Sequence, residues 1–311
     1  MKISSKVLLF IVLAVVLGST LSVLAGKPRK LPAGSYITTA RIEILSGDEE
    51  RYKTAIAMLD SLIMHYGPHS EGYFWMNQLY YDFIAKRSDL KEKLPYVELA
   101  VVYADSIRYC CDNKKVPKKY RKDCQEQSAR ADSTMERLRR EFYHDGVEQI
   151  KEITQISEDL KAETDSISIA YYKERRAALV DSCKDNMVLA IAIDPSDPHP
   201  YIGLASGYEK SDDYETALVW LKKALDKADE RDELLRIISY DHISLGQYCE
   251  CIPYFREFID IAVQDSFWLN ENRSALITDM NNLTICYNNC KMFDSGYVNN
   301  RRILAMDPEN T

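Results

Sequence analysis

The chain has 311 residues, 46% of them apolar, enough for one large core or two ordinary ones. Gly (11) and Pro (10) are scarce, which argues against a protein built from strands and tight turns. A formal charge of −8 excludes a general nucleic-acid-binding surface.

Two lysines in Met1–Lys6 precede the unbroken apolar run Val7–Leu17, and Val23-Leu24-Ala25 follows as a small-residue cleavage site. This is the three-part pattern of a secretory signal. Residues 1–25 therefore read as a signal peptide. An uncleaved signal anchor is the alternative, because Val7–Ala25 is just long enough to span a membrane and Lys27, Arg29 and Lys30 lie beyond it. No Cys follows Ala25, so a lipid-modified N-terminus has no support. The expected location is the periplasm or cell envelope, with membrane contact only through an uncleaved anchor. Residues 26–34 form a short basic linker.

After the linker the helical period dominates. Tyr52, Ala55, Leu59 and Leu62 form one apolar stripe, closed by Gly67-Pro68. Tyr73, Met76 and Tyr80 form the next, and Leu94–Cys110 a third. A hydrophilic loop follows, carrying Lys114, Lys115, Lys118, Lys119, Arg121 and Lys122. It reads first as a solvated connection, and otherwise as a contact for acidic lipid or an acidic partner. Cys110, Cys111 and Cys124 bracket this loop. In an exported chain Cys111 (or Cys110) is expected to pair with Cys124. Ser128–Ala178 is highly charged, and Ile153, Ile156, Leu160, Ile167 and Tyr171 make a narrow stripe suited to one long helix that packs lightly, with Gly146 a candidate break.

The strongest signal comes next. Placing 198–231 over 232–265, a shift of 34, sets Tyr214 over Tyr248, Ala217 over Cys251, Leu221 over Phe255 and Asp212 over Gly246. The first copy reads Tyr201, Leu204, Ala205, Tyr208, then Ala217, Leu221 and Ala224: large residues on one helix, small ones where a second helix must come close. In the second copy Ser239 takes a small slot and His242 a Tyr slot. Stepping back 34 gives 164–197, whose ending Ala190–Pro195 fits while its first helix does not. Stepping forward gives 277–310 after an eleven-residue insertion, Ser266–Leu276.

On these residues the chain resembles the tetratricopeptide repeat family. The resemblance implies an all-α, right-handed α-solenoid of antiparallel helix pairs, divergent over 35–110, interrupted by the loop and charged helical insert of 111–163, and regular over 164–311. It implies packing roles for Tyr201, Leu204, Ala205, Tyr208, Ala217, Leu221, Ala224, Tyr248, Cys251 and Phe255, and a polar last helix at the solenoid end. It also implies a concave groove for a protein or peptide partner, lined by Ile202 and Ser206, Arg236 and Tyr240, Asn281 and Asn288. Ile202 and Ser206 stand where some members carry a Lys and Asn that clamp a carboxylate, so that clamp is not expected here.

Signs of catalysis are missing. There is no Gly-x-Ser-x-Gly, phosphate-cradling Gly loop or His-Glu-x-x-His, and only five His occur. No metal or other cofactor is expected. Cys249, Cys251, Cys286 and Cys290 read as small buried core residues, with a disulfide between the two pairs or a zinc site as alternatives that export orders in favour of the disulfide. The expected function is that of a non-catalytic exported scaffold or adaptor. The alternative is a structural subunit of a larger envelope assembly, held through the 128–178 helices; an enzyme with an unrecognised site is a minor third.

Overall fold

The computed structural model describes residues 30–308, and the expected signal segment lies outside them. Among the described residues there is no strand, and no helix is long and apolar enough to cross a membrane. The chain folds as two compact units that divide between Arg140 and Glu141.

In the first unit, α1 (Ala33–Leu45) packs on α2 (Glu49–Tyr66), and α3 (Ser70–Lys86) on α4 (Leu90–Asp112). The stripe Tyr52, Ala55, Leu59 and Leu62 is wholly buried against Tyr36, Ile37, Ala40 and Ile44. Asp48 and Asp89 cap α2 and α4, their carboxylates accepting from the N–H groups of Glu50 and Lys91 at 3.0 and 2.8 Å. The loop after α4 keeps its lysines in solvent. It is pinned by buried Val116 and by Tyr120, whose ring lies 5.0 Å from that of His69.

Helix α5 (Cys124–Ala162) contributes its residues up to Arg140 to this unit and those from Glu141 to the second. In the second unit α6 (Ser166–Ile193), α7 (His199–Glu209), α8 (Tyr214–Leu225), α9 (Asp232–Ser244), α10 (Tyr248–Ala262), α11 (Ser266–Asn289) and α12 (Phe293–Met306) each pack on the next. The 34-residue period appears in the backbone. The turns closing α7, α9 and α11 place Asp212, Gly246 and Lys291 in the left-handed region, with φ of 59°, 69° and 59°. In all three, the following N–H reaches back to the same carbonyl: Asp213 to Tyr208 at 3.1 Å, Gln247 to His242 at 2.8 Å, and Met292 to Tyr287 at 2.8 Å. The inserted residues lengthen α11 at its start, where Asn272 interrupts the helix.

Of the packing residues, Tyr201, Leu204, Ala205, Ala217, Leu221, Ala224, Cys251 and Phe255 are buried, while Tyr208 and Tyr248 are half-buried. Ser239 returns its hydroxyl to the Leu235 carbonyl at 2.8 Å, which lets a polar side chain occupy the small slot.

Three expectations need correction. The 128–178 segment is not one helix: it breaks at Glu163–Asp165, where Asp165 caps α6 by accepting from Ser168 N–H at 2.8 Å. Its fully buried part ends at Ile156, Leu160 is half-buried, and Ile167 and Tyr171 are 79% and 57% exposed. Gly146 does not break α5. It lies inside the helix, where a Cβ would come 2.6 Å from Met187 Cε. Gly203 of α7 meets the same thioether, a Cβ there falling 2.6 Å from Met187 Sδ, so wholly buried Met187 fills the space that two glycines vacate. The last helix is not polar outside. Gly296, Asn299 and Ile303 dock α12 on α11, and Phe293, Tyr297 and Val298 remain more than half exposed.

Candidate functional site

The six groove positions lie on α7, α9 and α11, the first helices of their pairs. Arg236 and Tyr240 occupy one face of α9 at i and i+4. Both turn toward Asp279 of α11, whose side chain has no solvent exposure. Arg236 Nε donates to Asp279 Oδ2 at 2.9 Å, and the Tyr240 hydroxyl donates to Oδ1 at 2.5 Å. Asn282 Nδ2 then donates to the Tyr240 oxygen at 3.0 Å. Burial, followed by the bond to Asp279, holds the Tyr240 phenol above its ordinary range. The group is a polar knot joining successive first helices. It leaves Arg236 about a third exposed but already engaged.

Ile202 is half-buried against the α7–α8 core, and Ser206 and Asn281 are half-exposed. Asn288 is exposed. Thus the structure brings Arg236 and Tyr240 together and leaves Ser206, Asn281 and Asn288 outside their hydrogen-bonded group. The residues that sequence reasoning missed are Asp279 and Asn282. A signal existed: Asp279 falls between Leu276, Ile277 and Met280, all buried.

A second carboxylate lies where α7 meets α9. Asp241 is only 4% exposed, and its Oδ2 has no hydrogen-bond partner. Burial, reinforced by nearby Glu209, pushes its carboxyl up to about 7. Burial also raises Glu209, with Lys210 opposing, and lowers the imidazole of neighbouring His242. A raised carboxyl binds more protons in the folded than in the unfolded chain between about pH 4 and pH 7. Stability is therefore expected to fall as pH rises through that window and to level off above it, with a limiting slope of about 1.4 kcal/mol per pH unit. Urea titrations between pH 4 and 8 measure this, and Asp241→Asn is expected to flatten the profile and stabilise the protein at pH 8.

In the first unit a ladder of rings runs between α3 and α4. Tyr73 faces Tyr103 at 6.1 Å, Tyr103 stacks on Tyr80 at 5.6 Å, Tyr80 on Tyr96 at 6.4 Å, and Tyr96 on Phe83 at 4.9 Å. Arg87 closes the ladder over Phe83 and Tyr96 and pairs with Glu49 at 2.6 Å. Burial pushes the Tyr73 and Tyr80 phenols up to about 12. A shallow hollow lined by Glu49, Arg87, Glu92, Pro95 and Tyr96 opens at this end.

Cysteine placement differs from expectation on one side of the molecule. No disulfide joins Cys110, Cys111 or Cys124. The disulfide present joins Cys249 to Cys290, across α10 and α11. Among the described residues no cluster of three or more His, Cys, Asp or Glu is arranged to hold a metal ion.

No protein-family model matches the chain, and no curated protein matches it. Among solved structures, a crystal structure of the P58(IPK) TPR domain is similar over 89% of this chain and 84% of that one. The two share 14% identity with a TM-score of 0.21. The helix pairing and turn geometry described above stand without that comparison.

Proposed function

We propose that this protein is a non-catalytic scaffold that holds a protein segment along the face formed by α7, α9 and α11, and that it works outside the cytoplasm. The observation that carries the reading is the contact of successive first helices through Arg236 and Asp279, which sets these helices side by side. Such a face offers half-exposed Ser206 and Asn281 to a peptide backbone. The knot fixes the spacing of the face, and its neighbours supply the free donors and acceptors. Export rests on the N-terminal residue pattern and accords with a disulfide in the second unit.

Site-specific photocrosslinking in cells tests this. A photoreactive residue at Ser206 or Asn281 is expected to capture a defined partner that one at Val219, exposed on α8, does not. Equal capture from both helices, or none from α7 and α11, refutes groove binding.

One observation favours a second reading, a subunit held in a larger envelope assembly. Ile167 and Tyr171 project from the start of α6 with more than half their surface in solvent. Under that reading Ile167→Asp with Tyr171→Asp abolishes co-purification of the assembly while capture at Ser206 persists.

A further inference from the structure

Beside the Cys249–Cys290 bond lies a second sulfur pair. Cys251 of α10 and Cys286 of α11 have their Sγ atoms 2.6 Å apart. That is within about 0.6 Å of a covalent S–S bond and far too close for two non-bonded sulfurs at rest. Neither residue has any solvent exposure. Both sulfur pairs lie at the same end of the α10–α11 contact. Cys249 and Cys251 lie in the first turn of α10, Cys286 in the last turn of antiparallel α11 and Cys290 directly after it, where the outer bond already brings the chain to a Cα–Cα distance of 5.5 Å. Leu235, Phe255, Met280 and Leu283 share the apolar cluster of the inner pair.

We propose that Cys251 and Cys286 close a second disulfide, so that α10 and α11 are joined by a two-bond ladder with one exposed and one buried rung. The oxidant is a disulfide, either a small-molecule one or that of a thiol oxidoreductase. The Cys286 thiolate attacks one sulfur of the oxidant, and that disulfide breaks and releases its first thiolate. The Cys251 thiolate then attacks the Cys286 sulfur of the mixed disulfide. The Cys251–Cys286 bond forms and the second thiolate leaves. Two protons and two electrons pass from the cysteine pair to the oxidant, which ends as two thiols. The two thiols are equivalent in this exchange, and either can attack first. Complete burial places both steps before the helices finish docking. The inference stands on the sulfur geometry and is independent of groove binding, so its failure leaves the scaffold reading untouched.

The test uses the full chain, unfolded and reduced, then refolded in a buffer of reduced and oxidised glutathione. The product is acid-quenched, unfolded, labelled with N-ethylmaleimide and digested with trypsin. Cleavage isolates residues 237–256 and 274–291, each holding two of the four cysteines. Mass spectrometry is expected to find these peptides linked to one another, free of maleimide and four hydrogens lighter than the reduced pair. The same linked pair carrying two maleimide groups overturns the proposal, as do unlinked peptides. A Cys249→Ser/Cys290→Ser variant assigns the rungs. It is expected to keep the link through Cys251 and Cys286; peptides each bearing one maleimide refute that pairing. The wild-type mass decides the bond count even where this variant folds poorly.

Discussion

Replacing Phe255 by Ala is expected to destabilise the second unit by about 4 kcal/mol, the largest effect of any single truncation in its core. Phe255 has no exposure, and Tyr240 meets its ring edge-on at 5.5 Å. It sits in one cluster with Leu235, Ile252, Phe258, Met280 and Leu283, drawn from three helices. Those helices are tied at their turns and through the disulfide, so they cannot collapse into the vacated space. The cost then includes the cavity as well as the lost burial of the ring. Urea unfolding followed by circular dichroism measures it. Ile261→Ala on the same helix, at 40% exposure, serves as the control and is expected to shift stability by less than about 0.5 kcal/mol. A loss below about 1.5 kcal/mol for Phe255→Ala would mean that the α9–α11 core is looser than the structure has it.

The second large effect is expected at the polar knot. Arg236→Ala removes the cation from Asp279 while the carboxylate stays fully buried, with the Tyr240 hydroxyl its remaining partner. A charge left so costs about 3 kcal/mol. The pair itself is worth much less than that figure, because both ions were taken out of water to make it. The double replacement Arg236→Met with Asp279→Leu is therefore expected to recover most of the loss. A double variant as unstable as Arg236→Ala alone would refute this account. Photocrosslinking at Ser206 in the same variants separates stability from binding: the double variant is expected to stay folded and yet to capture its partner less well, because α9 and α11 lose their fixed spacing.

How far the sequence could be read followed from where packing demands and repeat slots coincide. Ala205, Ala217 and Ala224 are small because neighbouring helices cross there, and a shift of 34 exposes the constraint directly. The pair formed by α5 and α6 was hidden for two reasons. Its turn at Glu163–Asp165 lies out of phase with the period, and the residues expected to form its first helix, from Ser166, belong to α6 itself. The true first helix is the second half of α5, where Ile153 packs against Val180, Cys183 and Met187. Its single small contact, Gly146, reads in a sequence as a helix breaker. Asp279 was hidden because a carboxylate on a helix is usually solvated; only its apolar neighbours betray burial. The ring ladder of the first unit was equally out of reach, since Tyr96 and Tyr103 obey an ordinary helical stripe and become a stack only when α3 lies against α4.

Met187 carries a consequence for how related chains can vary. Its thioether occupies a single volume bounded by residues from α5 and α7, separated from one another by more than fifty positions in the sequence. Positions 146, 187 and 203 are therefore sterically coupled. A chain with Ala at 146 or 203 must shorten or reshape residue 187, and one with Leu or Phe at 187 must keep both glycines. Substitutions at these three positions that are each harmful alone offset one another in combination.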